Sequence, residues 1–205
     1  MGDNWKYDKN LVLQHRLIIG VDEAGRGPLA GNVVAAAVVL NLEEPFDGIN
    51  DSKKLSEKKR EKLFTIIKKQ ALFWGIGEAT CTEIDKVNIL QATFLAMKRA
   101  IQSAGCTQGL VLVDGNHNIP NLDRKQQCLI KGDALSASVA AASILAKVTR
   151  DRQMKKLHSK YPQYNFEKNK GYGTAEHIKA LKKHGPTPFH RRSFQPVSIF
   201  QTTLF

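Results

Sequence analysis

The chain alternates between short apolar runs and longer stretches whose apolar residues recur at helical spacing. The apolar runs predict strands, because a strand that is covered on both faces needs no polar alternation. These predicted strands cover about residues 17–23, 32–40, 71–80, 109–115 and 129–133. The helical patterns lie between and after them, over about residues 56–70, 82–105, 134–157 and 174–184.

The remaining residues predict loops and a terminus. Residues 1–15 are polar, and we expect a frayed end or a short lead-in. Residues 161–167 predict a loop, and residues 185–194 predict an extended basic segment. Tyr172 lies between two glycines, where an aromatic ring is less readily buried by its neighbours and can stack on a sugar or a base.

The first predicted strand ends in two acids, Asp22 and Glu23, followed by a loop of small residues. Gly25, Gly27 and Ala30 match the spacing of a dinucleotide-binding fingerprint, which requires a helix next. A strand-like run follows instead, so we reject a nucleotide cofactor. The loop predicts a hairpin connection whose bare backbone can approach a ligand closely.

Composition limits the class of protein. The chain has 205 residues, 42% of them hydrophobic, which suits one domain with a real core. It contains no signal peptide, no run long enough to span a membrane and no metal-spaced histidine cluster. Three widely spaced cysteines without a Cys-x-x-Cys pair favour reduced thiols and a cytoplasmic location.

The charge points to a polyanionic partner. Lys and Arg outnumber Asp and Glu by 31 to 19, for a formal net charge of +12. Such an excess in a small domain favours nucleic acid over a role in solubility alone.

Acids stand at predicted strand ends and at one predicted helix start. They are Asp22, Glu23, Asp114 and Asp133. If the strands that carry them lie side by side, the carboxylates converge, and oxygen-only ligands favour Mg²⁺ or Mn²⁺. Two such ions about 3.5–4 Å apart assist phosphodiester cleavage. Alternatively, the acids at 22 and 23 lie in a solvated turn and Asp133 caps the long helix.

Several motifs together resemble the ribonuclease HII family, in order, from about residue 17 to 197. They are Asp22-Glu23-Ala24-Gly25-Arg26-Gly27-Pro28, Asp51-Ser52-Lys53, Val113-Asp114-Gly115, Lys131-Gly132-Asp133, Gly171-Tyr172-Gly173-Thr174 and Pro186-x-Pro188-x-His190-Arg191-x-Ser193-Phe194. The related ribonuclease HIII family carries a substantial extra N-terminal domain, and the short stretch before the first strand here favours HII.

The resemblance implies a fold and an activity. The fold is an α/β, ribonuclease H-like one, a five-stranded mixed sheet flanked by helices, with a helical C-terminal region within a single domain over residues 1–197. The activity is hydrolysis of the RNA strand of RNA–DNA hybrids and incision 5′ to single ribonucleotides in duplex DNA, by a monomer with two Mn²⁺ or Mg²⁺ ions.

The resemblance also implies residue roles. Asp22, Glu23, Asp114 and Asp133 would be the catalytic metal ligands. The substrate-binding residues would be Gly25, Arg26 and Gly27 at the 2′-hydroxyl, Tyr172 stacked on the sugar and Lys53 at the phosphate backbone.

Two other functions remain open. One is another metal-dependent nuclease of the same fold, which the Gly-Arg-Gly loop and Tyr172 disfavour. The other is a non-catalytic nucleic-acid-binding module, which gains nothing from buried acids near phosphate.

Residues 198–205 are expected to form a C-terminal tail. Gln201, Leu204 and Phe205 give the pattern Gln-x-x-Leu-Phe, which resembles the peptides that dock bacterial repair enzymes on the sliding clamp. The alternative, slightly favoured, is that Ile199, Phe200 and Phe205 fold back onto the domain.

Overall fold

A computed structural model describes residues 2–49 and 55–201, with only the backbone of Gln201. Five strands and seven α-helices alternate through these residues: α1 (Asp3–His15), β1 (Ile18–Ala24), β2 (Val33–Leu40), α2 (Glu57–Gln70), β3 (Ala71–Ala79), α3 (Cys81–Ala104), β4 (Leu110–Asp114), β5 (Gln126–Leu129), α4 (Gly132–Leu135), α5 (Ala137–Lys160), α6 (Phe166–Asn169) and α7 (Ala175–His184). Short 3₁₀ turns occupy Pro162–Tyr164 and Val197–Gln201.

The strands form one mixed sheet in the order β3-β2-β1-β4-β5. Strand β2 pairs antiparallel with both β1 and β3, which confirms the predicted β1–β2 hairpin. Strand β4 runs parallel to β1, with Val21 opposite Val113, and β5 runs parallel to β4. The carboxyl ends of β1 and β4 therefore meet at one edge of the sheet.

Helices cover both faces of the sheet. One face packs against α3, and its buried core includes Ile19, Val39 and Met97. Gly77 lets the helix approach closely, because a Cβ there would collide with the backbone of α3 at Ala96 and Ala100. The other face packs against α2 and the small-residue half of α5. The expected α/β class and mixed sheet are confirmed.

The N-terminal lead-in predicted over residues 1–15 is wrong, since α1 is a 13-residue helix. It is tied down by Trp5, which is buried, and by the fully buried Asp8. The Asp8 carboxylate accepts a 2.8 Å hydrogen bond from the backbone N–H of Ser138, at the start of α5. Asp8 thus caps a helix 130 residues away in sequence, which no local pattern reveals.

Strand β5 and the long helix also differ from prediction. Strand β5 ends at Leu129, and Lys131 takes a left-handed conformation (φ 59°) that turns the chain into the one-turn helix α4. Helix α5 then begins after Ser136, whose side chain accepts the capping hydrogen bond from Val139 N–H. The capping role considered for Asp133 is therefore wrong, because Asp133 lies inside α4.

The C-terminal segments pack around the glycine loop. Ala30 of the loop bridges His190, and the segment predicted to be extended, residues 185–194, lacks helix and strand. The predicted loop 161–167 instead contains a 3₁₀ turn and the start of α6. Among the described residues, no helix combines the length and apolar character needed to cross a bilayer.

Candidate active site

The acidic residues gather at the edge where β1 and β4 end. Asp22 follows Val21 in β1, and Asp114 follows its partner Val113 in β4. The N–H of Gly132 donates a 2.7 Å hydrogen bond to Asp114 Oδ1, which holds the start of α4 against the end of β4. Asp133 is the next residue of α4. The register and this hydrogen bond bring three separate elements to one edge.

Asp22 is the most perturbed of these acids. Its side chain is buried, and burial raises its pKa well above the usual value, as do the negative charges of Glu23 and Asp114. Hydrogen bonds from Ser143 and from the Glu23 N–H act in the opposite direction but do not prevent the rise. Among the residues that the structure describes, the charges that act most strongly on Asp22 are therefore the two neighbouring carboxylates.

The chemistry of this donor set fits a hard divalent cation, because it offers carboxylate oxygens and no nitrogen or sulfur ligand. Over the described residues, no three acidic, histidine or cysteine side chains are already drawn together as a metal cluster. Glu23 instead makes a loose 3.5 Å ion pair with Arg26, and Asp114 accepts from Gly132.

Two buried arginines hold the loop between β1 and β2. The Arg150 guanidinium donates to the carbonyls of Ala30 and Asn32, and to that of Lys170 beyond the loop, at 3.0–3.2 Å. Arg191 donates to Gly31 and to two carbonyls of the Gly-Arg-Gly segment. Hydrogen bonds from charged donors are stronger than those from neutral ones. The two guanidinium groups therefore fix the backbone of the loop in one conformation before a ligand binds.

Gly25 and Gly27 differ in how much space surrounds them. Gly25 has a φ of +96°, and a Cβ there would collide with Arg150. Gly27 has a φ outside the left-handed region, and a Cβ there would meet only the Tyr172 ring, at 3.5 Å from Cε1. The loop and the Tyr172 ring therefore lie side by side. The Tyr172 side chain is half exposed, as its glycine neighbours predict.

The structure brings together most of the residues that the sequence singles out. The Arg26 side chain is half exposed beside Glu23. Lys53, Leu204 and Phe205 lie outside the described residues, as does the side chain of Gln201.

Sequence reasoning missed Arg150, Arg191 and Ser143 as parts of the site. Arg191 lies in a motif that carries the family resemblance. For Arg150 and Ser143, the long helix offered no signal that these polar residues face inward.

Comparisons with known proteins identify the family. A family model described as ribonuclease HII matches residues 19–197. A ribonuclease HII from Idiomarina loihiensis is 55% identical over 188 residues, covering 92% of this chain and 100% of the relative. One from Caldanaerobacter subterraneus is 57% identical and covers 92% of this chain and 78% of the relative.

Two solved structures share the fold. The ribonuclease H2 from Pyrococcus horikoshii superposes with a TM-score of 0.76 at 29% identity, covering 91% of this chain and 97% of that one. The ribonuclease HII in a complex with PCNA from Archaeoglobus fulgidus superposes with a TM-score of 0.68 at 24% identity, covering 87% and 95%.

The sheet order and its helical layers define a ribonuclease H-like enzyme. Within that class, this chain belongs to the ribonuclease HII family. It is therefore a metal-dependent endonuclease that hydrolyses the RNA strand of RNA–DNA hybrids. Family membership decides against a different nuclease of this fold and against a non-catalytic binding module.

Proposed function

We propose that this enzyme also incises 5′ to single ribonucleotides embedded in duplex DNA, and that it does so by two-metal-ion catalysis. The observation that carries the proposal is the arrangement of three neighbouring features. The buried Asp22 lies beside Glu23 and Asp114, the glycine loop follows Asp22 and Glu23 at the end of β1, and the half-exposed Tyr172 ring lies beside Gly27.

Asp22, Glu23, Asp114 and Asp133 would hold the two ions, either Mn²⁺ or Mg²⁺. Bound there, the ions would supply an activated water and charge stabilisation at the leaving oxygen. The raised pKa of Asp22 supports the assignment, since a buried carboxylate beside two others gains most from a bound cation. Ser143 would orient the Asp22 carboxylate through its hydrogen bond.

Gly25, Arg26 and Gly27 would read the ribose 2′-hydroxyl. Arg191 already occupies the carbonyls of Gly25 and Arg26, so the backbone N–H groups are the ones left to bind a hydroxyl. The Tyr172 ring lies within van der Waals range of the Gly27 position, so a sugar that stacks on the exposed part of the ring would also contact the loop. A deoxyribose in the same position lacks the hydroxyl and would leave these donors unpaired.

The basic surface would hold the phosphate backbone. Lys53 is the residue proposed from sequence, and nearby in the chain Lys58, Lys59 and Lys62 line a shared cavity on α2. Phosphate contacts of this kind supply affinity without sequence preference. We propose a monomer that works in the cytoplasm.

The C-terminal tail would dock on a sliding clamp through Gln201, Leu204 and Phe205. The Archaeoglobus relative was solved in a complex with PCNA, which supports a clamp as the class of partner. The competing proposal is packing onto the domain. Phe200 packs against a buried cluster that includes Leu29 and Val197, whereas Ile199 is 56% exposed.

The test is a cleavage assay on three matched duplexes: all DNA, one embedded ribonucleotide, and an RNA–DNA hybrid. We expect cut products from the last two only, and only with Mg²⁺ or Mn²⁺. Asp114→Asn should abolish cleavage and leave duplex affinity largely intact, whereas Asp123→Asn, an exposed acid away from this edge, should change neither. Near-normal turnover by Asp114→Asn at saturating metal would refute the metal assignment.

A further inference from the structure

Two histidines are buried behind Tyr172, and neither belongs to the site described above. His177 lies on α7 and His190 in the C-terminal segment, with exposed fractions of 0% and 1%. Their Nε2 atoms are 2.9 Å apart. His177 Nδ1 lies 2.9 Å from the carbonyl oxygen of Tyr172, and the Thr187 N–H lies 2.9 Å from His190 Nδ1.

The Thr187 backbone N–H sets the direction of hydrogen bonding. It always donates, so His190 Nδ1 accepts from it and the His190 proton is on Nε2. The Thr187 hydroxyl, also 2.9 Å from His190 Nδ1, can donate to the same nitrogen. His190 then donates to His177 Nε2, which leaves the His177 proton on Nδ1. That proton faces the Tyr172 carbonyl, which can only accept. Every link is satisfied when both rings are neutral.

The surroundings keep both rings neutral and fixed. Burial lowers the pKa of His177, and burial together with the neighbouring imidazole lowers that of His190 to about 3. Tyr164 and Phe166 contact both rings, with centroids 5.1–6.1 Å apart. Both imidazoles are therefore uncharged at neutral pH, and their hydrogen bonds hold the two rings and their partners in fixed positions.

The chain of hydrogen bonds from Thr187 through His190 and His177 to Tyr172, called the relay below, connects the segment that carries Arg191 to Tyr172. His190 precedes Arg191, whose guanidinium holds the carbonyls of the Gly-Arg-Gly segment. At the other end, His177 holds the backbone of Tyr172, whose ring lies 3.5 Å from where a Gly27 Cβ would be. We propose that His177 and His190 are positioning residues that set the distance between the tyrosine ring and the glycine loop, and thereby the selectivity for a ribonucleotide. This inference rests on the proposed role of Tyr172.

A double-mutant cycle tests the inference. His177→Phe keeps a ring but removes both hydrogen bonds, and we expect kcat on the single-ribonucleotide duplex to fall about tenfold with affinity for all-DNA duplex unchanged. In a Tyr172→Ala background the same change should cost less than about twofold, because the residue that it positions is gone. His177→Asn, whose amide can still donate to the Tyr172 carbonyl, should recover most of the rate. His184→Phe on the same helix is the matched control and should have no effect.

The outcomes separate this inference from the proposed function. Equal losses in both backgrounds, or an Asn variant as impaired as the Phe variant, would overturn the relay and leave the role of Tyr172 standing. Full activity of Tyr172→Ala would remove the proposed tyrosine role and the relay with it.

A measurement on the unaltered enzyme does not depend on any variant folding. Imidazole ¹⁵N–¹H spectra should show His177 protonated at Nδ1 and His190 at Nε2. The opposite tautomers would overturn the relay.

Discussion

Neutralising Asp22 should stabilise the metal-free protein while abolishing its activity. Asp22→Asn removes a buried negative charge that lies beside Glu23 and Asp114. The amide keeps an oxygen to accept from the Glu23 N–H, and its NH₂ can donate to a neighbouring carboxylate. The substitution therefore relieves repulsion at little cost in hydrogen bonding.

The size and sign of the effect follow from burial. A buried group that is poorly compensated costs about 1–3 kcal/mol, and for a domain of this size each kcal/mol changes Tm by about 2–4 °C. Because the folded-state pKa of Asp22 is raised, the penalty is present above that pKa and disappears as the pH falls toward the unfolded value of 3.8. The gain in Tm from Asp22→Asn should thus be larger at pH 8 than at pH 5.

The assay is thermal unfolding followed by circular dichroism, with and without Mn²⁺ or Mg²⁺. A ligand at about a hundred times its Kd stabilises by about 2.7 kcal/mol, so metal should raise the Tm of the wild type and leave the variant almost unchanged. Asp151→Asn is the matched control, because this buried acid pairs with Lys147 at 2.8 Å. Its loss should lower Tm. The reasoning is refuted if Asp22→Asn lowers Tm at pH 8 without metal, or if metal stabilises both proteins equally.

Four further substitutions and one truncation test other parts of the structure. Gly27→Ala should leave Tm unchanged but slow incision at a single ribonucleotide more than tenfold, whereas Gly25→Ala should lower Tm because its φ of +96° and Arg150 exclude a Cβ. Asp8→Ala should lower Tm by about 2–6 °C through loss of the cap on α5, measured by thermal unfolding. Because burial depresses the pKa of His190 to about 3, His190→Phe should flatten the loss of stability that the wild type shows as pH falls from 6.5. Removing residues 201–205 should weaken clamp binding in a titration without lowering Tm, and the opposite pair of results would show packing.

Asp22, Glu23 and Asp114 were predictable as strand-end acids because each follows a local signal. An apolar run that ends in Asp22-Glu23, and another that ends in Asp114, place carboxylates at strand ends without any knowledge of the rest. Their convergence depends on β1 and β4 being parallel neighbours, which only the register establishes. Motif resemblance supplied the fold, since periodicity alone does not order the strands.

What could not be predicted depends on contacts between distant residues. Helix α1 looked like a polar tail because its anchor, Asp8, meets Ser138 only in the folded chain. Strand β5 lies at the edge of the sheet and contains polar residues. A prediction based on apolar runs therefore placed the strand over residues 129–133, too late in the chain. Arg150 is buried because its guanidinium donates to backbone carbonyls of two distant segments. The sequence of the helix that carries it does not indicate these contacts.

The candidate site has two structural supports that differ in origin, and under the proposed function one serves the chemistry and the other the selectivity. The acids are positioned by the sheet, through strand register and the start of α4. The glycine loop and Tyr172 are held by polar side chains from later in the chain: Arg150 of α5, His177 of α7 and Arg191 of the segment after α7. Changes in the sheet should alter cleavage of every RNA-containing substrate alike. Changes in the supports from Arg150, Arg191 and His177 should act most on cleavage at single ribonucleotides. A single ribonucleotide offers only one 2′-hydroxyl for recognition, whereas a longer hybrid offers several that can bind in the same position.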